Sequence, residues 1–222
     1  MLFISNSNQH GGAIPIGPNR EAKLCIRADM DIPRPEPHMQ MFDNAKRVFK
    51  GVIFDVYQWE QDLFDGTTAT YEALRRPDTA IVFPVMPDGK ILLTKQQQAG
   101  SRPFIGGAGG RIEEGESALE GAKRELREET GYEADEWILW DAIQPVGKLD
   151  WAVYSFIAKK LRKAGDMDLD AGEKIELMPV TFDEFLDVAT QKNFAEREIV
   201  PLVWQARAEP TKKEELRTMF QP

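Results

Sequence analysis

The chain has 222 residues, with 37 acidic side chains against 28 basic ones and a formal net charge of -9. That length supports one sizeable core with an extension rather than two full catalytic domains. The acidic balance argues against a nucleic-acid partner, because backbone binding draws on clustered Lys and Arg. The single cysteine, Cys25, cannot form an intrachain disulfide. It fits a reducing compartment and reads as a small buried apolar residue. No run approaches the ~18 apolar residues of a membrane-spanning helix, and the N-terminus lacks the basic and apolar regions of a secretory signal. The expectation is a cytoplasmic chain with no membrane partner.

Residues 5–20 are rich in Asn, Gly and Pro without apolar periodicity, which predicts a mobile arm. Pro33, Pro35 and Pro37 make residues 30–41 an extended connector, since proline is excluded from a helix interior. A boundary near residues 42–49 follows. It divides the chain into an arm and Pro-rich connector over 1–48, a hairpin over 49–77, and a main domain over 78–222. In the hairpin Val52, Phe54, Val56 and Gln58 alternate on one face, Asp65-Gly66 is the turn, and residues 67–74 return. Residues 79–85 form a short apolar strand, Asp88-Gly89 turns the chain, and residues 90–95 form the next strand. Gly106-Gly107-Ala108-Gly109-Gly110 reads as a glycine-rich loop whose backbone can come close to a ligand.

The most informative stretch is GRIEEGESALEGAKRELREETGY, residues 110–132. Ser117 is placed to cap a helix and Gly131 to stop it. Successive helical side chains advance by about 100°, so each position has a place on a wheel. Ala118, Leu119, Ala122 and Leu126 share one arc, the stripe an amphipathic helix buries. Glu129 falls inside that arc, Glu125 at its edge and Glu128 one step further, whereas Glu120, Lys123 and Arg127 take the opposite side. Glu125 and Glu129 are also a like-charge pair at i, i+4, unfavourable when exposed and more so when desolvated. Arg124 alone does not offset the whole cluster. A hard divalent cation such as Mg²⁺ or Mn²⁺, which takes oxygen ligands, is the simplest counter-charge.

Beyond this helix, residues 137–142, 152–159 and 174–179 read as strands, and residues 182–189 and 196–208 as helices, with Pro201 in the first turn of the last. Strands and helices mixed without regular βαβ alternation predict an α+β sandwich. Residues 168–176 form an acidic loop leading into the last strand.

The spacing around the helix resembles the Nudix box: Gly110, Glu116, Arg124-Glu125, an aliphatic residue, Glu128-Glu129 and Gly131. Tyr132 departs from the usual aliphatic residue at the end, and Phe104-Ile105-Gly106 stands where relatives usually carry Leu-Pro. The resemblance implies an α/β/α sandwich with a mixed sheet, and it covers the chain from about Thr79. It implies Glu125, Glu128, Glu129 and the Gly109 carbonyl as metal ligands, with Mg²⁺ or alternatively Mn²⁺ as cofactor. Glu116 is implied as structural and Arg124 as orienting the carboxylates; Glu113 and Glu114 read as solvent-facing.

The hairpin resembles the N-terminal strands of ADP-ribose pyrophosphatases within this superfamily, which build a dimer interface and part of a nucleotide pocket. A homodimer acting on a small nucleotide is therefore expected. Glu173, in the acidic loop, is the candidate base, which with Glu128 and Arg124 makes up the candidate catalytic set. Trp59, flanked by Tyr57 and Phe54, is a candidate stacking face. Arg75, Arg76 and Arg102 are candidate phosphate or ribose clamps, and Trp151 is placed toward the terminal sugar. The implied reaction is hydrolysis of ADP-ribose or a related nucleoside diphosphate sugar to AMP and a sugar phosphate. Two alternatives stand beside it: the same chemistry on a nucleoside triphosphate or dinucleoside polyphosphate, and a nucleotide-binding regulator without catalysis.

Overall fold

The computed structural model describes residues 25–26, 32–37, 39, 41 and 43–222. The arm expected over 5–20 and the side chain of Cys25 lie outside the described residues. In chain order the strands are β1 (Cys25–Ile26), β2 (Lys46–Lys50), β3 (Asp55–Asp62), β4 (Thr68–Arg75), β5 (Thr79–Pro84), β6 (Ile91–Gln98), β7 (Phe104–Gly106) and β8 (Ala108–Arg111). Helix α1 (Ala118–Thr130) follows, then β9 (Tyr132–Ile143), β10 (Leu149–Asp150), β11 (Val153–Lys163) and β12 (Glu173–Val180). Helices α2 (Phe182–Val188), α3 (Val200–Ala208) and α4 (Pro210–Met219) complete the chain.

Strand β5 shows why the layers form. Its side chains are buried on both faces, as expected of a strand in the middle of a covered sheet. Ile81 and Phe83 join Val153 and Ile157 of β11 in a core with α2, α3 and α4. Ala80 and Val82 turn the other way, with Tyr154 and Phe156, onto Leu119, Ala122 and Leu126 of α1. The sheet between these cores runs β1-β9-β11-β5-β8 and is mixed, β11 and β5 being parallel and the other pairs antiparallel. A three-stranded antiparallel sheet, β12-β6-β7, packs beside it. The architecture is an α+β sandwich with helices on both sides of a mixed sheet.

Several expectations are corrected. The first hairpin strand begins at Asp55 rather than at Val52, because Gly51 donates its N–H to the Phe54 carbonyl at 3.0 Å and closes a turn. An additional strand, β2, precedes that turn and crosses the expected boundary between residues 48 and 49. The segment expected as arm and connector, residues 1–48, also contributes to the main sheet, where β1 pairs with Trp137 and Ile138 of β9. The glycine-rich loop is largely strand: β8 pairs with β5, and a Cβ on Gly109 would stand 2.3 Å from the Ala80 carbonyl oxygen. Glycine is there for close strand approach. The last predicted helix begins at Val200, and α4 was not anticipated, half of its sequence being charged, with Leu216 as its buried residue. Among the described residues no helix is long and apolar enough to cross a membrane.

Candidate active site

Helix α1 is fixed at both ends. Ser117 and Glu120 form a reciprocal capping box, and Gly131 closes the C-terminus in the left-handed conformation at φ 70°. With Leu119, Ala122 and Leu126 packed on the sheet, the same face carries Glu129 inward to 4 % exposure. Its Oε2 atom accepts the Gly109 N–H at 2.9 Å and the Gln96 amide at 3.3 Å. Among the described residues no lysine or arginine pairs with it. Burial pushes the Glu129 carboxyl up to about 8; the Gly109 N–H opposes that, and the charges of Glu125, Glu173 and Glu196 add to it.

Arg124 organises the exposed side of the cluster. Its Nε lies 2.9 Å from Glu116 and its Nη1 2.9 Å from both Glu125 and Glu128. Its Nη2 donates to the Arg111 carbonyl at 2.7 Å. The Arg124 hydrogen bond holds Glu116 below its ordinary value. Glu125, by contrast, is raised, because desolvation outweighs Arg124 and the charges of Glu128 and Glu173 oppose ionisation. Its carboxylate lies over Gly110, where a Cβ would stand 2.5 Å from Oε1.

Glu173 does not sit in a loop. It is the first residue of β12, paired with Gln98 of β6, whose amide reaches its carboxylate at 3.4 Å. The connection before it is tethered to α1, with Asp168 N–H donating to the Glu128 carbonyl at 2.8 Å and Arg127 to the Asp166 carbonyl at 2.9 Å. Glu173 bears on both Glu125 and Glu129 electrostatically, so three carboxylates share one region although strand and helix are far apart in sequence.

Among the described residues no three acidic side chains converge as a ready-made metal cage, because Arg124 draws Glu125 and Glu128 to itself. The donor chemistry nevertheless fits a hard divalent ion: desolvated carboxylates with raised pKa, one of them without a cation partner among the described residues, beside a glycine backbone.

The substrate candidates divide into two groups. Arg75, Arg76, Arg34, Pro77, Asp78 and Asp150 line a cleft of about 380 Å³. Arg75 is bound to Asp150 at 2.7 Å and lies over the Tyr57 ring at 4.7 Å. Arg76 lies over Trp151 at 4.8 Å and Phe54 at 5.7 Å; burial and then the charge of Arg111 lower its pKa. Trp151 is anchored by its indole N–H on Thr79 at 2.9 Å. Trp59, however, is buried, tilted against Tyr71 with centroids 6.1 Å apart, and leaves no open ring face. Arg102 is exposed between β6 and β7 and does not line the cleft.

Three functional candidates escaped the sequence reading. Gln96 was hidden in a polar run, yet it is buried and bonds Thr94 and Gly107 as well as Glu129. Arg34 lies in the expected connector and clamps Asp78 through two bonds of 2.8 and 2.9 Å. Glu196 read as part of a helix and is buried ahead of it.

The NUDIX domain family model matches residues 75–203. The chain is 29% identical over 160 residues to a methanol dehydrogenase activator of Bacillus methanolicus, covering 70% of this chain and 86% of that protein. It is 30% identical over 150 residues to an ADP-ribose pyrophosphatase of Bacillus subtilis, covering 66% of this chain and 81% of that one. Similarity to the ADP compounds hydrolase NudE of Escherichia coli is 29% over 96 residues, 42% of this chain and 51% of the relative. A crystal structure of an ADP compounds hydrolase superposes with a TM-score of 0.63 at 21% identity, over 78% of this chain and 95% of that one; it supports the fold. With the family match spanning more than half of its length and carrying the carboxylate helix, this chain belongs to the Nudix family of hydrolases.

Proposed function

We propose that the chain is a Mg²⁺-dependent pyrophosphohydrolase, Mn²⁺ being an alternative ion, that cleaves ADP-ribose or a related nucleoside diphosphate sugar into AMP and a sugar phosphate. One observation carries the reading: Glu129 is buried, among the described residues pairs with no lysine or arginine, feels the charges of Glu125 and Glu173, and is bonded to the Gly109 peptide. Glu125, Glu128, Glu129 and the Gly109 carbonyl would hold the ion, which when bound supplies positive charge against the anhydride and acidifies water. Arg124 keeps Glu125 and Glu128 turned together. Glu173 takes the proton of the attacking water. The water oxygen joins one phosphorus, the bridging P–O bond on that phosphorus breaks, and two phosphate monoesters leave.

The ADP moiety is supported by the names of the Bacillus subtilis and Escherichia coli relatives. The arginine cleft beside Trp151 supplies donors suited to phosphate and ribose oxygens. Cys25 as the single cysteine favours a cytoplasmic setting. Val48, Phe49, Val52 and Phe64 are exposed around a third sheet, of order β10-β4-β3-β2, which supports a homodimer closing over that apolar surface; a monomer mass by light scattering at assay concentration removes that part.

The test is a substrate panel with Mg²⁺. AMP released from ADP-ribose in preference to other nucleotides is the expected result. Faster cleavage of a nucleoside triphosphate reassigns the substrate, and binding of ADP-ribose with no AMP over hours favours a regulator.

A further inference from the structure

Glu196 lies far from the box in sequence, yet it packs against Gly106, just ahead of the box, and its charge bears on Glu129. The chain between α2 and α3 is pinned along β7: Ile105 donates to the Asn193 carbonyl at 2.9 Å, Ala195 donates to the Ile105 carbonyl at 2.8 Å, and Phe194 bridges Ile105 in parallel. The next side chain, Glu196, therefore turns under Gly106 and Gly107. It is 6 % exposed, and its Oε2 atom has no hydrogen-bond partner.

The fit is steric as well as polar. A Cβ on Gly106 would stand 2.4 Å from Glu196 Oε1 and 2.9 Å from Oε2, so the carboxyl fills the volume a side chain at 106 would take. Burial raises this carboxyl, and the nearby Gly107 and Glu196 N–H groups partly offset that. The Gly107 carbonyl accepts the Thr94 hydroxyl at 3.0 Å and the Gln96 amide at 3.3 Å. The same Gln96 amide is 3.3 Å from Glu129 Oε2, which also accepts the Gly109 N–H. Contacts thus run from Glu196, packed against Gly106, through the adjoining Gly107 carbonyl and Gln96 to Glu129. An apolar side chain of similar volume would fill this space without desolvating an acid, so the carboxyl's presence points to a polar task.

We infer that Glu196 is a positioning residue: its carboxyl sets the Gly106-Gly107 turn and, through Gly107 and Gln96, the placement of the Glu129 carboxylate and the Gly109 peptide. The kinetic side of this inference rests on the hydrolase reading. Binding of Mn²⁺ to the substrate-free protein does not. A parent protein that binds Mn²⁺ but cleaves nothing in the panel overturns that reading and leaves this one standing.

The experiment is a double-mutant cycle with Glu196→Ala and Gly106→Ala, reading Mn²⁺ affinity by electron paramagnetic resonance and kcat and KM on ADP-ribose. Each single change is expected to weaken Mn²⁺ about 10-fold and to lower kcat about 10- to 100-fold with KM nearly constant, the range for partners that orient a ligand. The double variant is expected to be no worse than the worse single, because both changes break the same contact. Glu196→Gln, which keeps both polar atoms, stays within about threefold of the parent. Glu196→Asp runs the same cycle if Glu196→Ala does not fold. Losses that multiply in the double variant, or a folded truncation with Mn²⁺ affinity and kcat within about twofold of the parent, overturn the inference.

Discussion

Glu129 Oε2 accepts the Gly109 N–H at 2.9 Å, joining the buried face of α1 to β8. The contact leaves a carboxylate desolvated, which is unfavourable in the metal-free protein. Glu129→Gln keeps an acceptor for Gly109 and removes the charge. At pH 8 without metal this variant is expected to be more stable than the parent by about 1–3 kcal/mol, while losing Mn²⁺ binding. Chemical denaturation with a parallel metal titration checks both, and a less stable variant that binds Mn²⁺ normally contradicts the assignment.

Glu173 heads β12 and faces the same region. In its proposed role as the base that takes a proton from water, it should affect rate rather than ion binding. Glu173→Gln is expected to lower kcat by about 10²- to 10⁴-fold and to leave Mn²⁺ affinity within about threefold. An unchanged rate removes Glu173 from the mechanism.

Arg124 joins three carboxylates and a backbone carbonyl. Its side chain is about a quarter exposed, so solvent screening reduces what the network contributes. Arg124→Ala is expected to destabilise the fold by about 1–3 kcal/mol and to reduce kcat. Arg124→Lys should recover stability in part but not the forked geometry over Glu116, Glu125 and Glu128. Thermal melts beside initial rates read the two effects, and a fully active Lys variant contradicts the positioning role.

The box helix was legible because its signals are local. Ser117, Gly131 and the wheel positions of Leu119, Leu126 and Glu129 lie within one turn-by-turn pattern, and the structure places them as that pattern requires. The mixed sandwich was legible from strands without regular helical alternation. What sequence could not supply was long-range pairing. Glu173 reads as a loop acid until its register with Gln98 is known. Glu196 reads as helical until Phe194 is seen bridging Ile105. Trp59 offers an aromatic face in one dimension and a packed ring in three. Strand β1 has only two residues, too short for alternation to register.

Raised carboxyls give the metal-free protein a pH signature. Glu129 and Glu196 are each pushed up to about 8, and Glu198 to about 6, from an ordinary 4.5, with burial the main cause. Glu129 faces Glu125, Glu173 and Glu196; Glu196 also faces Glu198, which in turn faces Asp141. Folded, these groups hold protons that the unfolded chain releases. Their contribution is complete below about 4.5 and is lost as pH rises toward 8. Glu116, held low by Arg124, acts in the opposite sense, but only as pH falls below the ordinary carboxylate range. In chelator, the melting temperature is expected to fall between pH 6 and 8.5, about, and to fall less in Glu196→Gln. A flat or rising profile contradicts the burial of these acids.

The central claim is that desolvated acids on α1 exist to hold a divalent ion for anhydride cleavage. Its most direct test measures AMP release from ADP-ribose by one preparation before and after exhaustive chelation, with Mg²⁺ then restored. The account predicts release with Mg²⁺, loss on chelation and recovery on restoration. Release at an undiminished rate in the chelated protein would contradict it.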